Sequence, residues 1–413
     1  MKILVYSHFY YPEVGAASLR MQYFVNALKS AGYEIKIISP LPNYPKGKIY
    51  SGFSRFVQKD LQNNIVYLPL YVPKKHSILK RGASYLSYFI SSFLYSSFSS
   101  FNPDIIITSS PPIFTAFGAS IISSIKGAKL ILDLRDIWPD IGIQLDLLKK
   151  PPVIKVLKKI ERFILNKASS VIVTANGDKN NLIEKGLAES NISVIYNGAD
   201  LSIFKPLNPS EIDEFKMKYK IPLKRTVLIY YGSFNYGMND IELLSNVLID
   251  MEHYRESFCF IAVGDGDNKD DFLSRIKNKI DYRYFESIES SELATLIAVS
   301  DISLIPRKEL KSDTGGNTPV KCFESWASEV PILLSANKES EITKIFMECK
   351  AGKYVKPSHP LEFKTALLEL IKNPQLKELG RNGRKFVEDK FDRRVQSQKL
   401  LSIIEKLNMD KKP

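Results

Sequence analysis

At 413 residues the chain is too long for one ordinary core and long enough for two domains, and 44% hydrophobic with 25% charged residues, free of low-complexity tracts, excludes disordered and fibrous classes. Three cysteines, Cys259, Cys322 and Cys349, are an odd number without metal-ligand spacing, which excludes a disulfide framework and fits buried thiols in a reducing compartment. The net charge of +13 is concentrated in the first half: residues 1–200 hold 24 Lys+Arg against 13 Asp+Glu, residues 201–413 hold 34 against 32. That half either faces something anionic or has a solvated basic surface; without a helix-turn-helix, zinc-finger or aromatic RNA-binding signature, nucleic acid is the weakest partner class and anionic lipid the stronger.

Residues 2–7 (KILVYS) read directly as a strand rather than as a signal peptide. The loop HFYYPEVGAAS follows, then a helix to about Ala31 with Leu19, Phe24, Val25 and Leu28 at helical spacing, and a strand over Tyr33–Ser39. This is the first turn of a doubly wound α/β domain, whose ligands sit beyond the carboxyl ends of its strands. Gly15, with Ala16 and Ala17, leaves room for a ligand or another loop to come close to the backbone. Leu41 to Arg81 is a long irregular stretch containing the strand-like IVYLPLYVP.

Gly82 to Pro103 carries no charge and repeats Tyr85, Leu86, Phe89, Ile90, Phe93, Leu94 and Phe98 at helical spacing behind Lys74, Lys75, Lys80 and Arg81. Eight serines in Ser84–Ser100 argue against a transmembrane span. Two readings stand: a core-facing helix with serines outward, or an aromatic amphipathic helix held at a membrane surface by the basic cluster. A second basic helix follows Pro151-Pro152, with Lys155, Lys158, Lys159, Arg162 and Lys167 among apolar residues.

Asp104–Ser109, Lys129–Leu134, Val171–Thr174 and Val194–Ile195 read as further strands. RDIWPD puts Arg135, Asp136 and Asp140 at the carboxyl end of a central strand, where an α/β domain holds working residues, although an Arg–Asp pair bracing a loop would look the same. The Pro/Asn/Ser composition of 206–210 sets the domain boundary near Leu207.

The second domain repeats the alternation. Strands at 226–231, 258–263, Tyr282–Phe285 and 301–305 are separated by helices, and three of them end in Gly-rich or polar loops. Its informative stretch is Leu304–Ser335. A strand opens into a loop with Gly315, Gly316 and Asn317, followed by a helix with Thr318 expected at the N-cap and Pro319 at the first helical position. The N–H groups of that start suit an anion; Lys321 in the first turn opposes the dipole unless a phosphate is present, and Glu324 lies one turn on, on the same face. The chemistry indicated is a nucleoside diphosphate, with Lys321 on phosphate and Glu324 on ribose hydroxyls. Asp265 and Asp267, in GDGD, read as turn residues rather than metal ligands.

These stretches in this order resemble a GT-B glycosyltransferase of family 4, in the bacterial surface-polysaccharide branch of fucosaminyl- and colanic-acid-type transferases. YPEVGAAS is similar to the N-terminal glycine loop, SSPP and RDIWPD to branch elements, VIYNGADLSIFKP to the interdomain signature, YYGSFNYGMN and FIAVGDGD to the donor loops, and TPVKCFESWASEVPI to the Lys…Glu element. The likeness runs nearly end to end. It implies two facing Rossmann-like doubly wound domains: residues 1–206 binding acceptor, residues 207–390 binding nucleotide-sugar, and residues 391–413 a helix crossing back to the first.

The donor site implied comprises Gly232, Ser233, Gly264, Ser287, Ile288, Gly315, Gly316, Asn317, Thr318, Lys321 and Glu324, with the base against Glu286–Ile288. Asp136 is expected to act as catalytic or sugar-orienting carboxylate together with Lys321 and Glu324, and Gly15, Ala16 and Ala17 to form the acceptor-side loop. The resemblance further implies a UDP-linked donor, with GDP the alternative nucleotide and an N-acetylated deoxyhexose a candidate sugar, no metal or other cofactor, a polyprenyl-diphosphate-linked glycan acceptor, a cytoplasmic enzyme at the inner face of the plasma membrane, and retention of configuration. Two family features are missing. The position eight before Glu324 is Gly316 instead of a sugar-contacting glutamate, and GSFNYGMND lacks the usual Arg/Lys pair, which shifts phosphate neutralisation onto Lys321 and Arg307 or Lys308, with Lys311 or Asp313 as further contacts. A catalytically inactive partner subunit and a nucleotide-sugar epimerase or hydrolase are the rival readings.

Overall fold

A computed structural model describes residues 1–13, 15–44, 47–73, 78–235, 237–286, 288–309 and 318–409. The chain divides into two compact units, residues 1–196 with 394–413 and residues 197–393.

The first unit is built on an eight-stranded sheet: β1 Lys2–Tyr6, β2 Glu34–Pro40, β3 Gln58–Asp60, β4 Ile65–Leu68, β5 Ile105–Ser110, β6 Lys129–Leu134, β7 Ser170–Val173 and β8 Ile192–Val194, in the order β3-β4-β2-β1-β5-β6-β7-β8. All pairings are parallel except β3 with β4, an edge hairpin inside the stretch expected to be irregular. Parallel strands covered on both faces need apolar side chains at every position, and β1 alternates accordingly. Ile3 and Val5 enter one core cluster with Met21, Phe24, Val25 and Leu28, while Leu4 and Tyr6 enter another with Tyr88, Ala119 and Ile122.

The helix Arg393–Met409 belongs to this unit's core through Leu400, Ile404 and Leu407, spaced to share one helix face. Lys129 Nζ donates to the Leu407 carbonyl at 2.6 Å.

The second unit is a six-stranded all-parallel sheet of β9 Thr226–Tyr231, β10 Phe258–Val263, β11 Tyr282–Phe285, β12 Ile302–Pro306, β13 Ile332–Ser335 and β14 Gly352–Val355, ordered β11-β10-β9-β12-β13-β14. The division falls between Tyr196 and Asn197, ahead of the Leu207 expected from composition. Ala199, Asp200 and Phe204 are buried in the second unit. Ala199 is fully buried, Phe204 is 2% exposed, Ala199 N donates to the Phe391 carbonyl at 3.0 Å, and Arg384 donates to the Phe204 carbonyl at 3.0 Å. Trp326 anchors this unit's other face, fully buried against Phe323, Phe346 and Phe386 with its indole N–H on the Ala351 carbonyl at 3.2 Å.

Candidate active site

In the second unit the strand order reverses between β9 and β12, so the crevice beyond their carboxyl ends is where a doubly wound sheet takes its ligand. The residues that follow these two strands meet there. Gly232, after β9, adopts φ +131°, and a Cβ on it would lie 2.5 Å from both Cε and Nζ of Lys321. Glycine is therefore what admits the lysine. Lys321 Nζ donates to Asn239 Oδ1 at 3.3 Å and lies 4.6 Å from the Tyr230 ring centroid, while Asn239 Nδ2 donates to the Ser233 carbonyl at 3.3 Å. Tyr231 Oη donates to the Lys321 carbonyl at 2.7 Å, tying the helix Val320–Ala327 to β9.

Arg307, directly after β12, is 7% exposed and bridges Asn239 in an isolated antiparallel pair. Part of the Lys321 side chain stays accessible, but its ammonium sits deep. Burial first, and the Arg307 cation second, push its pKa down to about 7. Two cations therefore meet beyond β9 and β12, with Asn239 Oδ1 as a hydrogen-bond partner of the lysine.

Glu324 lies one turn beyond Lys321 and is 7% exposed, with Oε1 at 3.5 Å from Arg393 Nη2. Burial raises its carboxyl pKa, opposed by Arg393 and Lys321. Gly264, after β10, has φ +130°, and a Cβ there would fall 2.0 Å from the Gly232 carbonyl, so the β9 and β10 loops touch backbone to backbone. Ile288 is half-buried beyond the edge strand β11. In the GDGD turn, Asp265 Oδ1 accepts from Gly266 N at 2.8 Å and Asp267 N donates to Asn235 Oδ1 at 2.7 Å.

One correction concerns the helix start. Pro319, with ψ 126°, is extended and is itself the N-cap, so Val320 is the first helical residue and Thr318 does not cap. The Thr318 hydroxyl is buried without a hydrogen-bond partner among the described residues. Ser287, Gly315, Gly316, Asn317, Lys311 and Asp313 lie outside the described residues.

The first unit has its own reversal, between β1 and β5. Gly15 precedes the helix Ala16–Ser30 in extended backbone; Ala16 is exposed and Ala17 half-buried, so this helix start is open. A Cβ on Gly15 would meet only Tyr44 Cε1, at 3.8 Å. Asp136 is half-buried beyond β6, next to Arg135, whose guanidinium donates to the Pro111 carbonyl of the SSPP turn.

Two residues that the sequence reading passed over stand out in this unit. His8 is 4% exposed among Phe9, Tyr85 and Tyr88, and burial, then Arg135, lowers its pKa to about 3. Glu13 is 3% exposed and accepts the backbone N–H groups of Asn43 and Tyr44 at 2.7 and 2.8 Å on one oxygen. Burial raises it to about 7 against the pull of those two bonds. The only signal for either was a polar residue in a strand-end loop otherwise rich in aromatics.

The sequence profile of Glycosyltransferase Family 4 matches residues 17–203. WcaI of Escherichia coli K12, which carries the name of a colanic acid biosynthesis glycosyl transferase, is 25% identical over 322 residues, 76% of this chain and 78% of its own. WbjE of Pseudomonas aeruginosa, named as a glycosyltransferase, is 23% identical over 317 residues, 75% of this chain and 76% of its own. Among solved structures, sucrose-phosphate synthase of Thermosynechococcus elongatus has a TM-score of 0.75 at 13% identity, covering 99% of both chains. Anabaena HepE in complex with UDP and glucose has a TM-score of 0.71 at 15% identity, covering 98% of this chain and 100% of its own. Sequence and fold agree: residues 17–203 match Glycosyltransferase Family 4, and the chain is a glycosyltransferase with the GT-B architecture of two Rossmann-like units.

Proposed function

We propose that this enzyme moves a sugar from a UDP-linked donor to a polyprenyl-diphosphate-linked glycan in O-antigen- or capsule-type polysaccharide synthesis, with retention of configuration. The observation that carries the donor half is the pair of cations, Lys321 and Arg307, held at the β9–β12 reversal beside a helix start. The HepE complex with UDP supports the nucleotide, and the colanic acid name of WcaI supports the pathway class.

In the reaction the bond between sugar C1 and the diphosphate oxygen breaks, its electron pair leaves with UDP, and an acceptor hydroxyl oxygen bonds to C1. Lys321 and Arg307 stabilise the charge gathering on the leaving diphosphate, so no metal is called for. Glu324 takes the ribose hydroxyls, Gly232, Ser233 and Gly264 supply backbone around the diphosphate, and Ile288 lies against the base. Asp136 receives the acceptor proton, or orients the sugar while the departing diphosphate oxygen takes that proton, and the Gly15–Ala17 helix start faces the acceptor. Lys321→Ala and Glu324→Ala should abolish transfer and weaken UDP binding while the thermal melt is retained; wild-type turnover in both would remove the site assignment. A donor screen with lipid-linked acceptor, reading UDP release, separates transferase from hydrolase or epimerase, because a transferase releases UDP only when acceptor is present.

The acceptor's lipid implies work at a membrane surface, and one face of the first unit supports that partner. Leu86, Ile90 and Leu94 recur every four residues on the helix Ile78–Phe98 and are 44, 50 and 50% exposed, with Phe98 at 87%. Beneath them Phe89 stacks on Phe117, which meets Phe163 of the helix Pro151–Lys167, where Lys155, Lys158, Lys159 and Arg162 line a shallow concavity. Among the described residues no helix is long and apolar enough to cross a membrane. The location proposed is peripheral, at the inner face of the plasma membrane. Flotation with anionic liposomes at low salt should carry the protein up and high salt should release it; no binding at low salt would dismiss the membrane partner.

A further inference from the structure

The first and last residues of the second unit are hydrogen-bonded to each other through Arg393, which also lies against Glu324. Arg393 is the last residue of the second unit and Asn197 the first. The Arg393 guanidinium, 6% exposed, donates from Nε to the Asn197 carbonyl at 3.2 Å and from Nη2 to the Gly198 carbonyl at 2.9 Å. Its backbone N–H donates to the Ala199 carbonyl at 2.9 Å. The same Nη2 lies 3.5 Å from Glu324 Oε1.

The two strands of the crossing are fixed against each other. Gly198 has φ +60°, and a Cβ on it would sit 2.1 Å from the Phe391 carbonyl oxygen, while Phe391 stacks on Phe323, one residue before Glu324, at 4.7 Å.

We propose that Arg393 is a positioning residue for donor binding, holding Glu324 as an aimed carboxylate and fixing that aim to the segment through which the chain enters and leaves the second unit. This inference rests on the reading of Glu324 as the ribose contact. Two backbone carbonyls commit the guanidinium, so it cannot swing to follow the carboxylate; the carboxylate is held to it instead. The groups around Glu324 are Arg393, Lys321, Tyr231 and Cys322, of which the phenol and thiol are held neutral by burial. Only the two cations favour its ionised form, and Lys321 is needed by the diphosphate. Without Arg393 a buried carboxyl keeps its proton longer and offers fewer acceptor lone pairs to the ribose.

The test is a double-mutant cycle on UDP affinity, by titration calorimetry, from pH 6 to 8.5, with Arg393→Met and Glu324→Gln singly and together. Arg393→Met is expected to weaken UDP about tenfold in the wild-type background. The loss should be largest at pH 6, shrink as Glu324 ionises with rising pH, and vanish in the Glu324→Gln background. An equal loss in both backgrounds at every pH would mean a purely structural role, and no loss in the wild-type background would equally overturn the proposal. If Glu324→Gln alone binds UDP like the wild type, the ribose assignment itself falls, a result distinct from either. Should Arg393→Met not fold, Arg393→Lys runs the same cycle: it keeps the charge, so its loss is smaller and nearly independent of pH, and an additive cycle would again overturn the proposal.

Discussion

Replacing Gly232 with alanine separates what the β9 loop does for folding from what it does for the donor. The residue holds φ +131°, where an L side chain is strained by about 1–3 kcal/mol. The added Cβ would sit 2.5 Å from Lys321 Cε and Nζ, about 1 Å inside carbon contact distance. The obstructing atoms are the far end of a flexible side chain, so the lysine retreats, gives up its 3.3 Å bond to Asn239, and the fold survives. The ammonium is then displaced from the diphosphate, and a hydrogen bond to a charged group lost there is worth about 1.5–3 kcal/mol. UDP affinity should therefore fall roughly 10- to 150-fold. Urea unfolding and calorimetric titration with UDP read the two terms separately, and in a Lys321→Ala background the glycine substitution should cost stability but no further affinity. A variant that loses stability and binds UDP like the wild type, or one whose affinity loss is undiminished in the Lys321→Ala background, would refute the reasoning.

Three further outcomes are expected. Burial and Arg307 push Lys321 down to about 7 and an anionic diphosphate favours its charged form, so UDP binding should take up a proton above that pH and, taken as a ratio to Lys321→Met at each pH, weaken about tenfold between pH 6 and 8. That control also removes the contribution of UDP's own terminal phosphate. Glu13 has its folded pKa raised above the ordinary carboxylate value, so the native state holds that proton more tightly and stability is lost as pH rises from about 4.5 to about 7; Glu13→Gln, which keeps the acceptor for Asn43 and Tyr44, should raise the melting temperature at pH 8 and leave it nearly unchanged at pH 4.5. Gly198→Ala meets a backbone oxygen at 2.1 Å in a left-handed conformation, so nothing flexible can yield, and chemical unfolding should show a loss above about 3 kcal/mol; wild-type stability would contradict the crossing geometry.

Much of the fold could be read in advance because parallel strands covered on both faces must be apolar at every position, and KILVY, IIITSS, TVLIYY and FCFIAV are nearly so. The hairpin strand β3 escaped notice because Gln58, Lys59 and Asp60 are polar and lie at the sheet edge, where no apolar alternation is needed. The domain boundary was drawn late because Pro206, Asn208 and Pro209 look like a linker, whereas Asn208 and Glu211 form a capping box on a helix already inside the second unit. Lys321 and Glu324 were legible as one helix face. Their partners were not: Asn239 lies 82 residues from Lys321 and Arg393 lies 69 from Glu324, separations that no local spacing reveals.

The paired crossings also say how the gene could be recombined. The second unit is a single uninterrupted segment whose first and last residues are joined by Arg393, whereas the first unit is completed only by the C-terminal helix and is discontinuous in sequence. A chimera that imports another donor module should therefore be cut on both sides of 197–393, keeping Leu400, Ile404 and Leu407 with the host that buries them. A single splice near residue 207 would divide the buried segment around Ala199 and Phe204 from its own core and pair the C-terminal helix with a foreign first unit.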